Sequence, residues 1–154
     1  MIRTEAQEAF WQKFLASSGR DSSTPCYDCF HFCLDEKSAN ELLELVLAGK
    51  KRATAGSLPS YEREGVRSPQ AGDLSILTDF DGKPHCVIRT TAITVLPFCG
   101  MTYEICKREG EDDSLDSWRA NHIRFFTEEG RLLGYAFSEN MPVVFEDFEI
   151  VFQQ

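Results

Sequence analysis

Two runs of β-forming residues joined by a short turn constrain this chain more than any other feature. Leu74 to Thr78 and Cys86 to Val95 are rich in Leu, Ile, Val and Thr, and they flank Asp79-Phe80-Asp81-Gly82-Lys83 with its Asp-Gly turn signal. A loop of that composition folds the chain back on itself. The runs are therefore expected to pair as an antiparallel hairpin at the centre of a sheet.

The rest of the chain supplies flanking elements. Thr4 and Gln7 stand at capping-box spacing before Phe10, Trp11, Phe14 and Leu15, which predicts a helix over about residues 4–16, ended by Ser17-Ser18-Gly19. After a polar loop from Arg20 to Pro25, Phe30, Phe32 and Leu34 alternate with Cys29, His31 and Cys33 in strand rhythm. Ser38 and Glu41 open a second helix whose apolar stripe, Leu42 to Leu47, closes at Gly49. From Leu58 to Gly72 the composition is that of a long surface connection. Two further helical stretches, about Thr102 to Arg108 and Ser114 to Phe126, follow Pro97. In the second, Leu115, Trp118, His122 and Phe125 share one face. Val143, Phe145, Phe148, Ile150 and Phe152 then return to strand. Short strands interrupted by helices, with no internal repeat, predict one α+β domain over 1–154 built on a curled sheet or small barrel.

Composition narrows the class of function. The 42% apolar share, with twelve Phe, suffices for one core in 154 residues. No apolar run approaches the roughly 20 residues of a membrane span, and the first residues lack a signal-peptide pattern, so a cytoplasmic location is expected. Six cysteines in such a chain are expected as free thiols. A net charge of −9 disfavours coating of long DNA or RNA, because phosphate would be held only by a local basic patch. Two metal readings are weak. Cys26-Tyr27-Asp28-Cys29 followed by His31 and Cys33 has the residue types of a zinc site, but strand residues two apart stand about 6.6 Å from each other, too far for one tetrahedral ion, and no second C-x-x-C follows. The run Glu109, Glu111, Asp112 and Asp113 suits the acidic start of a helix.

Three segments together resemble the ASCH domain family in its bacterial branch: Leu47-Ala48-Gly49-Lys50-Lys51-Arg52-Ala53-Thr54; Ala71-Gly72-Asp73 leading into a strand; and Glu109-Gly110-Glu111-Asp112-Asp113-Ser114-Leu115 running into Trp118-Arg119, His122 and Phe125-Phe126. Their order and spacing match from about Phe30 to Phe152. The resemblance implies an RNA-associated PUA-like β-barrel with flanking helices and a pocket where the lysine-bearing turn meets the barrel. Some small relatives are amidohydrolases that remove the acetyl group of N4-acetylcytidine with a lysine, a threonine three residues later and a distant glutamate. Carried onto this chain, these are Lys51, Thr54 and Glu109. Where those enzymes place a basic residue soon after the threonine, this chain has Ala55-Gly56-Ser57.

The chemistry expected of such a site is acyl transfer without a cofactor or metal. With Lys51 and Thr54 on one helical turn, a lysine of lowered pKa would take the threonine proton, and a partly protonated Glu109 would donate to the leaving amine. Lys50, Arg52, Arg119 and His122 are the candidate substrate-binding residues. The same basic residues would also complement the negative end of the Ser38 to Leu47 helix, with Thr54 simply opening the next strand. The expected partner is a nucleoside or short RNA. Alternatives are a non-catalytic RNA or modified-base binding module, and a metal-dependent ribonuclease gripping phosphate with Lys50, Lys51, Arg52, Arg63 and Arg67.

Overall fold

The computed structural model of the protein describes residues 2–154. The predicted hairpin is present: β3 (Leu74–Thr78) and β4 (Pro84–Pro97) run antiparallel, with Ile76 opposite Val87 and Leu77 opposite Cys86. Strand β4 is long because its far end pairs with the C-terminal strand β5 (Pro142–Gln153). Register shifts at Val87/Ile88 and Thr90/Ala92 bend this ribbon, as bulges do, and curl the sheet. On the outer edges lie β1 (Asp28–Phe30), parallel to β3, and β2 (Ala53–Ser57), antiparallel to β5. The order β1-β3-β4-β5-β2 makes a five-stranded half-barrel with helices packed around it.

Helix α1 (Glu5–Ser18) carries the expected capping box on Thr4 and Gln7 and stops at Gly19, whose φ is 68°. Its apolar face, Phe10, Trp11, Phe14 and Leu15, packs on Leu74, Ile76 and Val87 of the sheet. Helix α2 (Glu36–Leu47) starts two residues before the expected Ser38, because the Asp35 side chain takes the Ser38 backbone N–H at 2.9 Å and caps it first. The strand expected to continue through Cys33 ends at Phe30 instead. Cys33 sits at φ 59°, a left-handed conformation no strand accommodates.

The segment read as a long connection contains a further helix, α3 (Leu58–Glu64). Ser57 caps it, Pro59 lies in its first turn, and Gly65 ends it. Start and stop signals were thus present within a polar composition. Helix α4 (Tyr103–Cys106) passes into a 3-10 turn at Lys107–Glu109, and α5 (Leu115–Leu133), capped by Ser114, runs well past Phe126. Three apolar clusters result. One lies under α1. The second joins Phe98, Trp118, Phe126 and Phe145, between α5 and the sheet. The third joins Phe32, Leu43, Val46, Ile88 and Phe148, between α2 and the sheet.

Gly130 tests this packing. A Cβ there would lie 2.3 Å from the Tyr135 carbonyl oxygen, a backbone atom that cannot swing aside. In an open helix Gly→Ala stabilises by about 1 kcal/mol. Here Gly130→Ala is expected to destabilise by about 1–3 kcal/mol, the cost of overpacking, measured as a lower urea midpoint at unchanged m. A raised midpoint would show that α5 does not pack this closely.

Candidate functional site

The site begins at the end of α2. Gly49, at φ 78°, donates its N–H to the Val46 carbonyl at 2.9 Å, and Lys50 donates to Leu45 at 2.9 Å, the paired bonds of a Schellman motif. The turn leaves Lys50 exposed and sends the Lys51 side chain inward, where it is only 1% exposed. The next residue ties this corner to a distant segment, since the Arg52 N–H donates to the Arg108 carbonyl at 3.0 Å. Two residues beyond Arg108, Gly110 has φ 71°, and a Cβ on it would fall 2.1 Å from the Lys50 carbonyl oxygen. Only glycine allows the two backbones to touch.

That contact sets Glu109 and Glu111 around one amine. Lys51 Nζ donates to Glu109 Oε1 at 3.3 Å and to Glu111 Oε2 at 2.5 Å, above the face of Phe32 at 5.1 Å. Glu109 is 2% exposed, and its Oε2 also accepts from the Trp118 indole N–H and lies 3.5 Å from His122 Nε2. The His122 ring stacks on Trp118 at 4.1 Å, with Nδ1 2.8 Å from the Trp118 carbonyl. Both imidazole nitrogens therefore face acceptors, which the doubly protonated ring satisfies.

Burial alone would push the Lys51 amine down, but Glu109 and Glu111 outweigh it and hold the group above its ordinary value. Burial likewise pushes the Glu109 carboxyl up, and Lys51 and His122 overcome it, holding Glu109 well below the carboxylate range. For Glu111 burial wins, assisted by the charge of Glu109 and opposed by Lys51, so its carboxyl is raised. His122 is raised too, its burial outweighed by Glu109. The group thus consists of a fixed ammonium, a fixed carboxylate, an imidazole favouring its charged form and one carboxyl that holds its proton more readily. Beside them opens a cavity of about 670 Å³, lined by Lys51, Thr54, Glu109, Glu111, His122 and Phe125 among others. Small-molecule sites span about 300–1,000 Å³.

The sequence pattern of the ASCH domain (ASCH_2) matches residues 28–152, most of the chain. This chain belongs to the ASCH domain family. Solved structures agree: it is similar to an ASCH domain from Lactobacillus crispatus JV V101, with 32% identity over 98% of this chain and 97% of that one, at a TM-score of 0.86. It is also similar to protein EF3133 from Enterococcus faecalis V583, of family DUF984, with 33% identity over 95% and 88% of the two chains and a TM-score of 0.85. None of the curated proteins matches it. The curled five-stranded sheet is accordingly the PUA-like fold of an ASCH domain.

Within this ASCH domain the structure brings Lys51, Thr54, Glu109 and His122 to one cavity. Their relation differs from the expected one in three ways. Glu109, expected partly protonated, is held ionised by Lys51 and His122. Thr54 stands on strand β2 rather than on a helical turn with Lys51. And the Lys51 amine is a paired ammonium, not a neutral base, because the carboxylates beside it outweigh its burial. Lys50 and Arg52 face outward, and Arg119 is bound to Glu139 at 2.8 Å and lies over Phe98. None of these three lines the cavity. Phe125, which shares a helix face with Trp118, is half-buried and forms part of the cavity wall. Glu111, expected as part of the acidic start of a helix, instead binds Lys51 at the cavity; the signal in the sequence that separates it is the Glu-Gly-Glu pattern, a glycine between two carboxylates. Among the described residues no group of His, Cys, Asp and Glu is arranged to hold a metal ion, the Cys26 to Cys33 segment included. The six cysteines are free thiols.

Because folded His122 holds its proton more tightly than the ordinary value of 6.5, its contribution to stability is complete below that value and is lost as pH rises through the folded value. Unfolding free energy is therefore expected to fall as pH rises above 6.5, and His122→Gln should remove that slope. Denaturant titrations at several pH values check this; a slope unchanged in the variant would contradict it.

Proposed function

We propose that this ASCH domain is an amidohydrolase acting on acylated pyrimidine nucleosides of the N4-acetylcytidine kind. The observation carrying this reading is a single cavity that gathers a threonine hydroxyl, a fixed ammonium and two carboxylates against aromatic walls. Phe32 and Phe125 supply aromatic wall to the cavity, a surface suited to a base ring. Thr54 Oγ1 is the nucleophile. Lys51, already charged, acts as a preorganised positive charge for the oxygen that becomes negative when the acyl carbon is attacked, a role that needs no proton transfer from the lysine.

The charge at the mouth favours a free nucleoside over RNA. Asp35, Glu41, Asp112 and Glu128 line the cavity with Glu111, against Arg124 and a Lys51 already paired with Glu109 and Glu111. A phosphate entering there meets carboxylates. The basic residues of the ribonuclease reading lie elsewhere or are engaged, as Arg67 is with Asp73 at 2.8 Å. This reading takes a cytosolic nucleoside as the partner and requires no cofactor. No described helix is long and apolar enough to cross a membrane.

Purified protein is expected to release cytidine from N4-acetylcytidine, followed by liquid chromatography, and Thr54→Ala should lower kcat/KM by about 100-fold or more. Absence of turnover by the wild type, or full turnover by Thr54→Ala, would overturn the reading. Adding a 5′-phosphate to the substrate should lower kcat/KM by about tenfold at low salt, with the penalty shrinking as salt is added. A phosphate that improves turnover would instead favour an RNA substrate.

A further inference from the structure

Asn121, Arg124, Phe125 and Glu128 recur at the spacing of one helix face, and this stripe of α5 lines the cavity that Lys51 and Thr54 also line. Lys51 is already held by Glu109 and Glu111. Arg124, exposed at the wall, forms no ion pair among the described residues. The carboxylate one turn along the helix, Glu128, is taken instead by Arg131, whose Nε donates to Oε2 at 3.0 Å. Neutral groups hold Arg124 in place. Its Nη2 donates to Asn121 Oδ1 at 2.6 Å. Asn121 is fixed in turn, since its Nδ2 donates to Asp112 Oδ1 at 2.7 Å, and that oxygen also accepts from Ser117 Oγ at 2.6 Å.

We propose that Arg124 reads the pyrimidine edge of the substrate, donating one N–H to N3 of the ring and a second to the O2 carbonyl. The proposal rests on the amidohydrolase reading and names the residue that selects cytosine within it. Nη2 carries two hydrogens, one in each of the two parallel donor pairs of a guanidinium, so its bond to Asn121 leaves one pair complete. N3 and O2 of an N4-acylated cytosine are adjacent acceptors in the ring plane. Two parallel N–H groups match them as an arginine matches O6 and N7 of guanine.

The contact leaves the acyl group on N4, the part to be cleaved, unengaged. Phe125 follows Arg124 on the same stripe, so aromatic wall and edge contact come from one helix. A uracil ring presents N3–H where cytosine has an acceptor, which sets donor against donor and forfeits one of the two bonds. A lone positive charge does not make that distinction, and a phosphate contact does not sense the base at all.

The test is titration of cytidine and uridine into wild type, Arg124→Met and Arg124→Lys, followed by amide NMR. Wild type is expected to bind cytidine about tenfold or more tightly than uridine. In Arg124→Met the cytidine affinity should fall about tenfold or more and the preference should shrink below about threefold. Arg124→Lys keeps the charge without the fork and should behave like Arg124→Met. With N4-acetylcytidine, Arg124→Met should raise KM about tenfold or more while kcat stays within about threefold. Arg124 is exposed, and melting curves verify that each variant is folded. The proposal is overturned by a wild type that binds neither nucleoside or both alike, by a preference surviving in either variant, or by a loss confined to 5′-phosphorylated cytidine. If the wild type prefers cytidine through Arg124 yet releases nothing from N4-acetylcytidine, the amidohydrolase reading fails by itself and the pyrimidine contact stands.

Discussion

An ammonium removed from water costs several kcal/mol unless opposite charge reaches it, and the walls of this cavity are arranged around meeting that demand at Lys51. Two carboxylates supply the charge, and each comes from the far side of one glycine. The Schellman turn at Gly49 drives the amine inward, while the close contact of Gly110 with the Lys50 carbonyl brings Glu109 and Glu111 up to it. Trp118 and His122 complete the arrangement from α5, linking the same carboxylate to the largest apolar cluster. Losing one partner would leave uncompensated charge in the interior, at a cost of about 3–5 kcal/mol for a buried pair. Site and core are therefore held by the same contacts.

This coupling fixes what Lys51 can do. A lysine acts as a base only when burial prevails over neighbouring negative charge, and here the neighbours prevail. The residue becomes a standing positive charge, useful wherever an oxygen gains negative charge during reaction. Thr54, on the edge strand β2, lines the same cavity from a different element. A strand and a turn thus bring the Thr54 hydroxyl and the Lys51 ammonium to the wall of one cavity.

Much of the framework was legible in the chain. The Asp-Gly hairpin, the Thr4 capping box, the apolar stripe of α2 and its stop at Gly49 are local signals, and each appears where local chemistry put it. Helix α3 escaped because its composition is that of a loop, although Ser57, Pro59 and Gly65 mark its ends. The strand through Cys33 failed for a tertiary reason: alternation reports burial, and Phe32 is buried against α2 after the chain has already turned. Glu109 is singled out by the family resemblance alone, and its ionisation is not legible in the sequence because charge state depends on Lys51 and His122, far away along the chain. Glu111 was hidden by its neighbours, since a run of acids at a helix start has an ordinary explanation that pattern alone prefers.

The most direct measurement is the ionisation of Lys51 itself. Nitrogen NMR of lysine-labelled protein, with the Lys51 signal assigned by substitution, should show a slowly exchanging ammonium that remains protonated beyond the ordinary 10.5. An Nζ that loses its proton near neutral pH would contradict the account, because the carboxylates would then not be holding its charge and the lysine would be free to act as a base.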